Sequence, residues 1–437
     1  MHNPLLTVDL VGDEIDQRRE TGYEVEAIAA QFASTDDADE ATHERLLVEL
    51  QNAPRSSSWN YEEPDDLDGI LATLPPSTET AAMGEQLEDR ILGGWLGRIA
   101  GCNLGKPIEN GWVWTPAHIR QYLELANAYP LRDYIPALDP MPEGFAFVHC
   151  WPNTTRGRID GSDRDDDIDY AILGMHLLET FGTAVTTRNI ADSWLFFLPY
   201  YQVYTAERAA YTNLVRSVPL EDVARTRNPY REWIGALIRG DAFGWINPGR
   251  PRAAARLAYV DASLSHVANG IYGEMWSAAL VAAAFTSSTA TEAFEASLQH
   301  IPPRSRLREA LDDVQRMYRS GLSWDDGIAE IHQRYGHYSW VHTVNNAAVI
   351  AAGLLWGEGD YAATVGLTVQ GGWDTDSNGA TAGSVAGVLL GGEALPTQFI
   401  EPLHDRTGSA LFGFDQSRIS DLAQRTVVLA RAAAESA

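Results

Sequence analysis

Apolar residues recur at helical spacing along most of the chain. Residues 168–178 and 347–354 show the pattern clearly, with apolar side chains every three or four positions, the period of one face of an α-helix. Alternating polar and apolar runs, which would indicate strands, are scarce. From Met83 onward the pattern therefore predicts an all-α fold with one large helical body.

The first eighty residues have a different character. Short helical patterns at 25–32 and 44–50 flank the acidic stretch 36–40, and residues 53–80 are rich in Pro, Ser, Asp and Glu. Such composition is typical of an irregular linker or strap. We place a boundary near Ala81, with a small N-terminal helical extension and linker over 1–80 and the main domain over 81–437. Catalytic residues are expected in the main domain.

Two sets of glycines repeat at intervals of four residues. The sets are Gly93, Gly97, Gly101 and Gly105, and Gly379, Gly383, Gly387 and Gly391. Residues four apart lie along one stripe of a helix. A glycine inside a helix costs roughly 1 kcal/mol relative to alanine, so the repetition indicates that another backbone comes very close. We expect these two helices to pack against each other.

Charge and composition narrow the classes of function. The formal net charge is −28 with a pI near 4.6, which argues against a nucleic-acid polymer as partner. Two cysteines, Cys102 and Cys150, cannot build a disulfide framework or a four-cysteine zinc site. Neither a signal peptide nor a run of ~18 apolar residues is evident. These features predict a cytoplasmic protein with no membrane partner.

Two acidic clusters stand at predicted helix starts. One is Asp165-Asp166-Asp167, and the other is Asp374 and Asp376, which follow the Gly371-Gly372 turn and precede a helix expected to begin near Asn378. The helix dipole favours a carboxylate in the first turn by roughly 0.3–1 kcal/mol. Three in succession repel each other, and only Arg164 is nearby in sequence. An exposed acidic cap is the alternative to the site we favour, which binds divalent cations.

The first residues of the C-terminal cluster also match the first positions of an EF-hand calcium-binding loop. Its twelfth position, where calcium requires a bidentate Glu, is Val385, so that interpretation fails. Oxygen ligands without interleaved Cys or His favour Mg²⁺ or Mn²⁺ over zinc. Two such clusters can hold two ions about 3.5–4 Å apart and activate a water.

Three segments together resemble the signatures of the ADP-ribosylglycohydrolase family. They are Gly101–Glu109 (GCNLGKPIE), Asp165–Asp167 and Gly371–Ser377 (GGWDTDS), in the family's order. The resemblance covers roughly residues 85–435. It implies an all-α fold, a large orthogonal helical bundle, and a two-magnesium centre, as in the enzyme that reactivates dinitrogenase reductase.

The resemblance also implies roles for individual residues. The expected metal ligands are Asp165, Asp166, Asp167, Asp374, Asp376 and Ser377, with Asp165 in place of a family Ser or Thr and Ser377 in place of a Thr. The expected catalytic groups are Glu109, which matches a glutamate on a mobile loop, with Asp166, Asp167 and Asp376. His266 resembles a family histidine near the substrate pocket. From the sequence itself we also expect Trp373, His342, Asn345 and Asn346 to bind substrate. For the last three, a capping and core role is the equal alternative.

Three positions depart from the family pattern. Cys102 stands where the family often has Asp, Trp373 stands where it has a small glycine, and Asp165 replaces a hydroxyl. These departures bear on the substrate more than on the metal site.

The leading hypothesis is a Mg²⁺- or Mn²⁺-dependent hydrolase of a ribosyl glycosidic bond. The substrate would be an ADP-ribosylated macromolecule or a smaller ribosyl or ADP-ribosyl compound. Glu109 or one of the aspartates would serve as general base, a role worth about 10²–10⁴-fold in rate. The alternatives are a metal-free pair of glycosidase carboxylates, a non-catalytic ADP-ribose- or nucleotide-binding protein, and a metal-dependent hydrolase of another bond.

Overall fold

The computed structural model describes residues 7–77, 79 and 84–435, and this part of the chain is all-α, as predicted. Its first ten α-helices are α1 Thr7–Glu20, α2 Glu26–Ala33, α3 Glu40–Gln51, α4 Leu67–Thr73, α5 Leu87–Gly105, α6 Pro116–Leu125, α7 Asp166–Phe181, α8 Thr187–Phe197, α9 Thr205–Val215 and α10 Asp241–Trp245. The next ten are α11 Pro251–Ala262, α12 Ala268–Ala284, α13 Ala290–Ser297, α14 Arg306–Arg319, α15 Trp324–Tyr335, α16 Thr343–Trp356, α17 Tyr361–Gln370, α18 Thr375–Leu390, α19 Thr397–Ile400 and α20 Ile419–Glu435.

Short 3₁₀ helices and one small sheet complete the described elements. The 3₁₀ helices span Lys106–Ile108, Gly182–Ala184, Tyr200–Gln202, Leu220–Asp222, Leu237–Arg239, Leu298–His300, Gly392–Ala394 and Glu401–Leu403. The strands β1 Arg406–Thr407 and β2 Ser417–Arg418 pair antiparallel. No helix in the described part of the chain is both long and apolar enough to cross a membrane.

The two glycine stripes bring the backbones of α5 and α18 into contact. A Cβ added at Gly97 would lie under 3.0 Å from the carbonyl of Gly383, and the same holds for Gly101 against Gly379. Gly93 meets the carbonyl of Gly387 in the same way. The helices α5 and α18 therefore run antiparallel with their backbones in contact. Only a residue without a side chain fits at these positions, and this is the reason for the stripes that the sequence displays.

The core divides between the main body and the N-terminal segment. One large apolar cluster extends from Ile70 to Ala433, and its central helix α12 is buried on nearly every face. A second, small cluster joins α1, α2 and α3 through Leu10, Leu46 and Leu50. The N-terminal segment thus has its own modest core.

The N-terminal segment is more helical than the sequence indicated. Helices α1, α2 and α3 lie in the part expected to contain short helices, and α4 lies within the stretch expected to be irregular. The segment packs on the main body through ion pairs, including Arg231–Glu14 at 2.7 Å and Arg306–Glu63 at 3.0 Å. The boundary near Ala81 falls outside the described residues and stays a prediction.

Candidate metal centre

Two helix starts meet at the C-terminal end of α5. Helix α7 begins at Asp166, and its N-cap Asp165 accepts a hydrogen bond from the Asp167 amide at 2.9 Å. Helix α18 begins at Thr375, three residues before the predicted start, with Asp374 as its N-cap. The Thr375 hydroxyl donates to the Gly105 carbonyl at 2.9 Å. Close contact along the glycine stripes therefore brings the start of α18 to the end of α5.

The carboxylates of both clusters converge with Glu109. Donor atoms of Cys102, Asp165, Asp167 and Asp376 lie within 4.8 Å of one another, and so do those of Glu109, Asp374 and Asp376. Asp376 belongs to both groups and joins them. The Ser377 hydroxyl donates to Asp167 at 2.9 Å, which links α18 directly to α7. The structure thus brings together acids that are far apart in the sequence.

Two cations that sequence reasoning missed lie among these acids. Lys106 Nζ lies 3.2 Å from a carboxylate oxygen of Asp165. The Arg98 guanidinium lies 3.1 Å from Asp167 and 2.7 Å from Asp241, deep in the protein. Arg164, the one cation considered from sequence, instead pairs with Asp169 at 2.7 Å. A buried arginine on the glycine-rich helix was the available signal, because a charge there requires a partner.

The cations are unequally distributed, so the pKa values of the carboxylates shift in different directions. Burial acts to raise the pKa of Asp165, but the charges of Lys106 and Arg164 outweigh it and hold the pKa below its ordinary value. Burial and the charge of Asp376 raise the pKa of Asp374 well above its ordinary value. Asp376, which is buried near the charge of Asp165, has its pKa raised to about 6.

The same two causes act on the remaining acids. Burial, followed by the charges of Asp376 and Asp374, raises the pKa of Glu109 well above its ordinary value. Burial and the charge of Asp165 also raise the pKa of Asp166 and of Asp167. More carboxyl groups meet here than nearby cations neutralise, which is an unfavourable arrangement for the protein alone.

The residues present fit hard divalent cations. Cys102 is fully buried, burial raises the pKa of its thiol, and sulfur is a soft ligand that hard cations do not prefer. The remaining donors of the two groups are all carboxylate oxygens, the ligand type that Mg²⁺ and Mn²⁺ prefer. Buried carboxylates that repel one another, and have too few cations of the protein beside them, are stabilised strongly when such ions bind.

Trp373 has a strained backbone in the turn before α18. Its φ of 59° lies in the left-handed region, which a residue with a side chain adopts only at a cost. The His332 ring stacks on the indole, with centroids 3.9 Å apart, and His332 Nε2 donates to the Gly371 carbonyl at 2.8 Å. These contacts hold the turn that positions Asp374.

Asn346 is committed to the same turn. Its side-chain oxygen accepts from the Asp374 amide at 3.1 Å and from Asn378 at 2.7 Å, and its NH₂ donates to the carbonyls of Trp340 and His342 at 2.8 Å each. Asn345 donates to the Ser339 carbonyl at 3.0 Å. The polar groups of Asn346 are used within the protein, so its contacts are those of a positioning residue.

The two histidines expected near the substrate both make contacts within the protein. His266 is buried, and its ring shares a hydrogen bond with the Ser265 hydroxyl at 2.8 Å. His342 is the N-cap of α16, accepts from the Val344 amide at 3.1 Å and lies 3.9 Å from Glu20. Within the described residues, neither histidine makes a hydrogen bond or ion pair with the carboxylates of the two donor groups.

In this helical body, carboxylates converge at the end of a glycine-rich helix pair. The fold and the site together define a class of all-α protein with a buried acidic centre. A family model described as ADP-ribosylglycohydrolase matches residues 83–436. The chain belongs to the ADP-ribosylglycohydrolase family, which confirms the resemblance. A solved structure described as "ADP-ribosylglycohydrolase-related protein complex" is 18% identical, with a TM-score of 0.46 over 80% of this chain and 100% of that chain. Among curated proteins, none matches the chain.

Proposed function

We propose that the protein is a divalent-metal-dependent hydrolase of the glycosidic bond between a ribose C1″ and its substituent. The substrate would be an ADP-ribosylated macromolecule or a smaller ADP-ribosyl compound. The observation that carries the proposal is the convergence of half-buried Glu109 with the buried Asp165, Asp167, Asp374 and Asp376, from three distant parts of the chain. Membership of a glycosidase family supports the reaction type.

Two Mg²⁺ or Mn²⁺ ions would be held by Asp165, Asp166, Asp167, Asp374 and Asp376, with Ser377 as a further oxygen donor. When bound, such ions orient hydroxyl groups and lower the pKa of a coordinated water. Lys106 and Arg98 would keep Asp165 and Asp167 oriented through the ion pairs described above. The crowding that destabilises the metal-free centre is then the source of its affinity for cations.

Glu109 is the best-placed general base. It joins the group of Asp374 and Asp376, and its raised pKa gives its carboxylate a greater affinity for a proton. In the reaction a water oxygen would form a bond to C1″ while the bond to the leaving group breaks. The water proton would pass to Glu109, and Glu109 would then deliver that proton to the leaving group. Asp376, with a pKa near 6, is the alternative base.

The test is a hydrolysis assay on a panel of ADP-ribosylated peptides and small ribosides. We expect turnover with Mg²⁺ or Mn²⁺, loss of turnover in EDTA, and loss of at least 10²-fold in Asp374→Ala. Asp421→Ala, at a side chain 67% exposed, is the matched control and should leave the rate unchanged. Turnover that survives both EDTA and Asp374→Ala would contradict the proposal.

A second candidate is a protein that binds ADP-ribose without hydrolysing it. The buried Cys102 beside Asp165 and the bulky Trp373 beside Asp374 favour this candidate, because both change the surroundings of the acids. Calorimetry distinguishes the two. Binding of both metal and ADP-ribose, with no turnover of any panel member, would support the binding protein.

A further inference from the structure

A cavity lies in the long connection between α6 and α7. Its volume is about 540 Å³, within the roughly 300–1,000 Å³ range of small-molecule sites. Residues of this connection line it: Leu138, Asp139, Met141, Phe147, Val148, His149, Trp151 and Arg158. The cavity is large enough for a nucleotide portion, and the proposed function leaves it without a role.

Hydrogen bonds attach one wall of this cavity to the loop that carries Glu109. The Val148 amide donates to the Pro107 carbonyl at 3.0 Å, and the Cys150 thiol donates to the Lys106 carbonyl at 3.2 Å. Lys106 in turn pairs with Asp165 at 3.2 Å. A ligand that extends from the acidic centre past this loop would therefore meet the cavity.

The side chains in the cavity suit an aromatic ring next to an anion. The Trp151 ring is 40% exposed, and the Arg158 guanidinium lies 4.9 Å from its centroid. Among the described residues Arg158 has no carboxylate partner, although the chain carries a net charge of −28. Phe147 and Met141 add apolar surface, and Asp139 offers an acceptor for a hydroxyl or amino group.

We propose that this cavity binds the nucleobase and neighbouring phosphate of the substrate. Trp151 would stack on the base, because an aromatic ring accepts any planar base and contributes about a tenfold or greater gain in affinity. Arg158 would bind the phosphate through its guanidinium, which matches phosphate oxygens in a fork geometry. The assignment deepens the proposed function by locating the part of the substrate distant from the scissile bond.

The experiment is calorimetric titration of the full chain with AMP, adenosine and ribose 5-phosphate. AMP contains both groups that the cavity would recognise, and the other two probes contain one each. The variants are Trp151→Ala, Arg158→Ala and the control Phe412→Ala, at an aromatic side chain 72% exposed that does not line the cavity. Circular dichroism of each variant checks that the fold is retained.

We expect Trp151→Ala to weaken the binding of AMP and of adenosine at least tenfold and to leave the affinity for ribose 5-phosphate unchanged. Arg158→Ala should weaken the binding of AMP and of ribose 5-phosphate and leave the affinity for adenosine unchanged. Phe412→Ala should leave all three affinities unchanged. Equal AMP affinity in the wild type and both cavity variants, or no AMP binding to the wild type, would overturn the proposal. Because no turnover is measured, failure of the hydrolysis assay with this pattern intact would overturn the proposed function alone.

Discussion

At the residue scale, the centre is dominated by repulsion between like charges. Asp376 lies within 4.8 Å of ligand atoms from both donor groups, and its pKa is raised to about 6 by burial and by the charge of Asp165. A group whose charged form is disfavoured in the folded protein lowers stability when it is ionised. The acids are therefore retained at a cost to folding, as expected of a functional site.

The change Asp376→Asn tests this cost. It removes one charge without changing the shape, so we expect the metal-free protein to gain roughly 1–3 kcal/mol in free energy of unfolding at neutral pH. The stabilisation of the wild type by Mn²⁺ should be lost in the same variant. Urea unfolding in EDTA and in Mn²⁺ measures both effects, with exposed Asp421→Asn as control. A metal-free variant less stable than the wild type would contradict this account.

His332 and Trp373 should act as a coupled pair. Loss of the ring in His332→Ala removes the stack and the hydrogen bond to Gly371, and leaves Trp373 strained. We expect a coupling energy of about 0.5–3 kcal/mol in a double-mutant cycle with Trp373→Gly. Thermal unfolding measures it, and additive effects of the two changes would show that the ring does not support the turn.

At the element scale, contact between α5 and α18 determines where the acids lie. The change Gly97→Ala would push a methyl group into the Gly383 carbonyl, which is backbone and cannot move aside. We expect a loss of about 3 kcal/mol or more in free energy of unfolding, together with weaker binding of Mn²⁺.

Gly84→Ala is the control for this change, because a Cβ there meets nothing within 4 Å. Unfolding by denaturant and titration of Mn²⁺ compare the two variants. Equal stability of Gly97→Ala and Gly84→Ala would show that the stripes are not needed for close packing.

Sequence periodicity was enough to predict this helix pair and both acidic helix starts. The glycine spacing and the clusters at Asp165 and Asp374 are local patterns with a direct physical reading. The partners of those acids could not be predicted, because Arg98 and Lys106 reach them only through the fold. For Asn346 the sequence left two roles open, and the hydrogen bond from Asp374 favours positioning.

At the scale of the whole molecule, the N-terminal segment is joined to the body by buried charge. Glu20, at the end of α1, accepts from the Ser339 amide at 3.3 Å and lies near Arg306 and Glu232. Burial and the charge of Glu232 raise its pKa to about 8.

This shift predicts the pH dependence of stability. The pKa of Glu20 is higher in the folded protein, about 8, than its ordinary value of 4.5, so its stabilising contribution is fully present below pH 4.5 and is lost as the pH rises through 8. Between pH 5 and 9 the wild type should lose free energy of unfolding on the order of a few kcal/mol through Glu20, and this loss should be absent in Glu20→Gln.

Thermal unfolding over this pH range compares the wild type, Glu20→Gln and the exposed control Glu221→Gln. As the pH rises, the unfolding temperatures of the wild type and the control should fall together relative to that of Glu20→Gln. Parallel curves for all three proteins would show that Glu20 is not the group responsible.

The proposed function requires that acids from separate helix starts form one divalent-cation centre. Anomalous diffraction from crystals soaked in Mn²⁺ tests it most directly, since it locates the ions without relying on turnover. We expect anomalous density between the carboxylates of Asp165, Asp167 and Asp376, and a second maximum near Glu109 and Asp374. Fully occupied Mn²⁺ elsewhere on the protein, with none among these carboxylates, would contradict the claim.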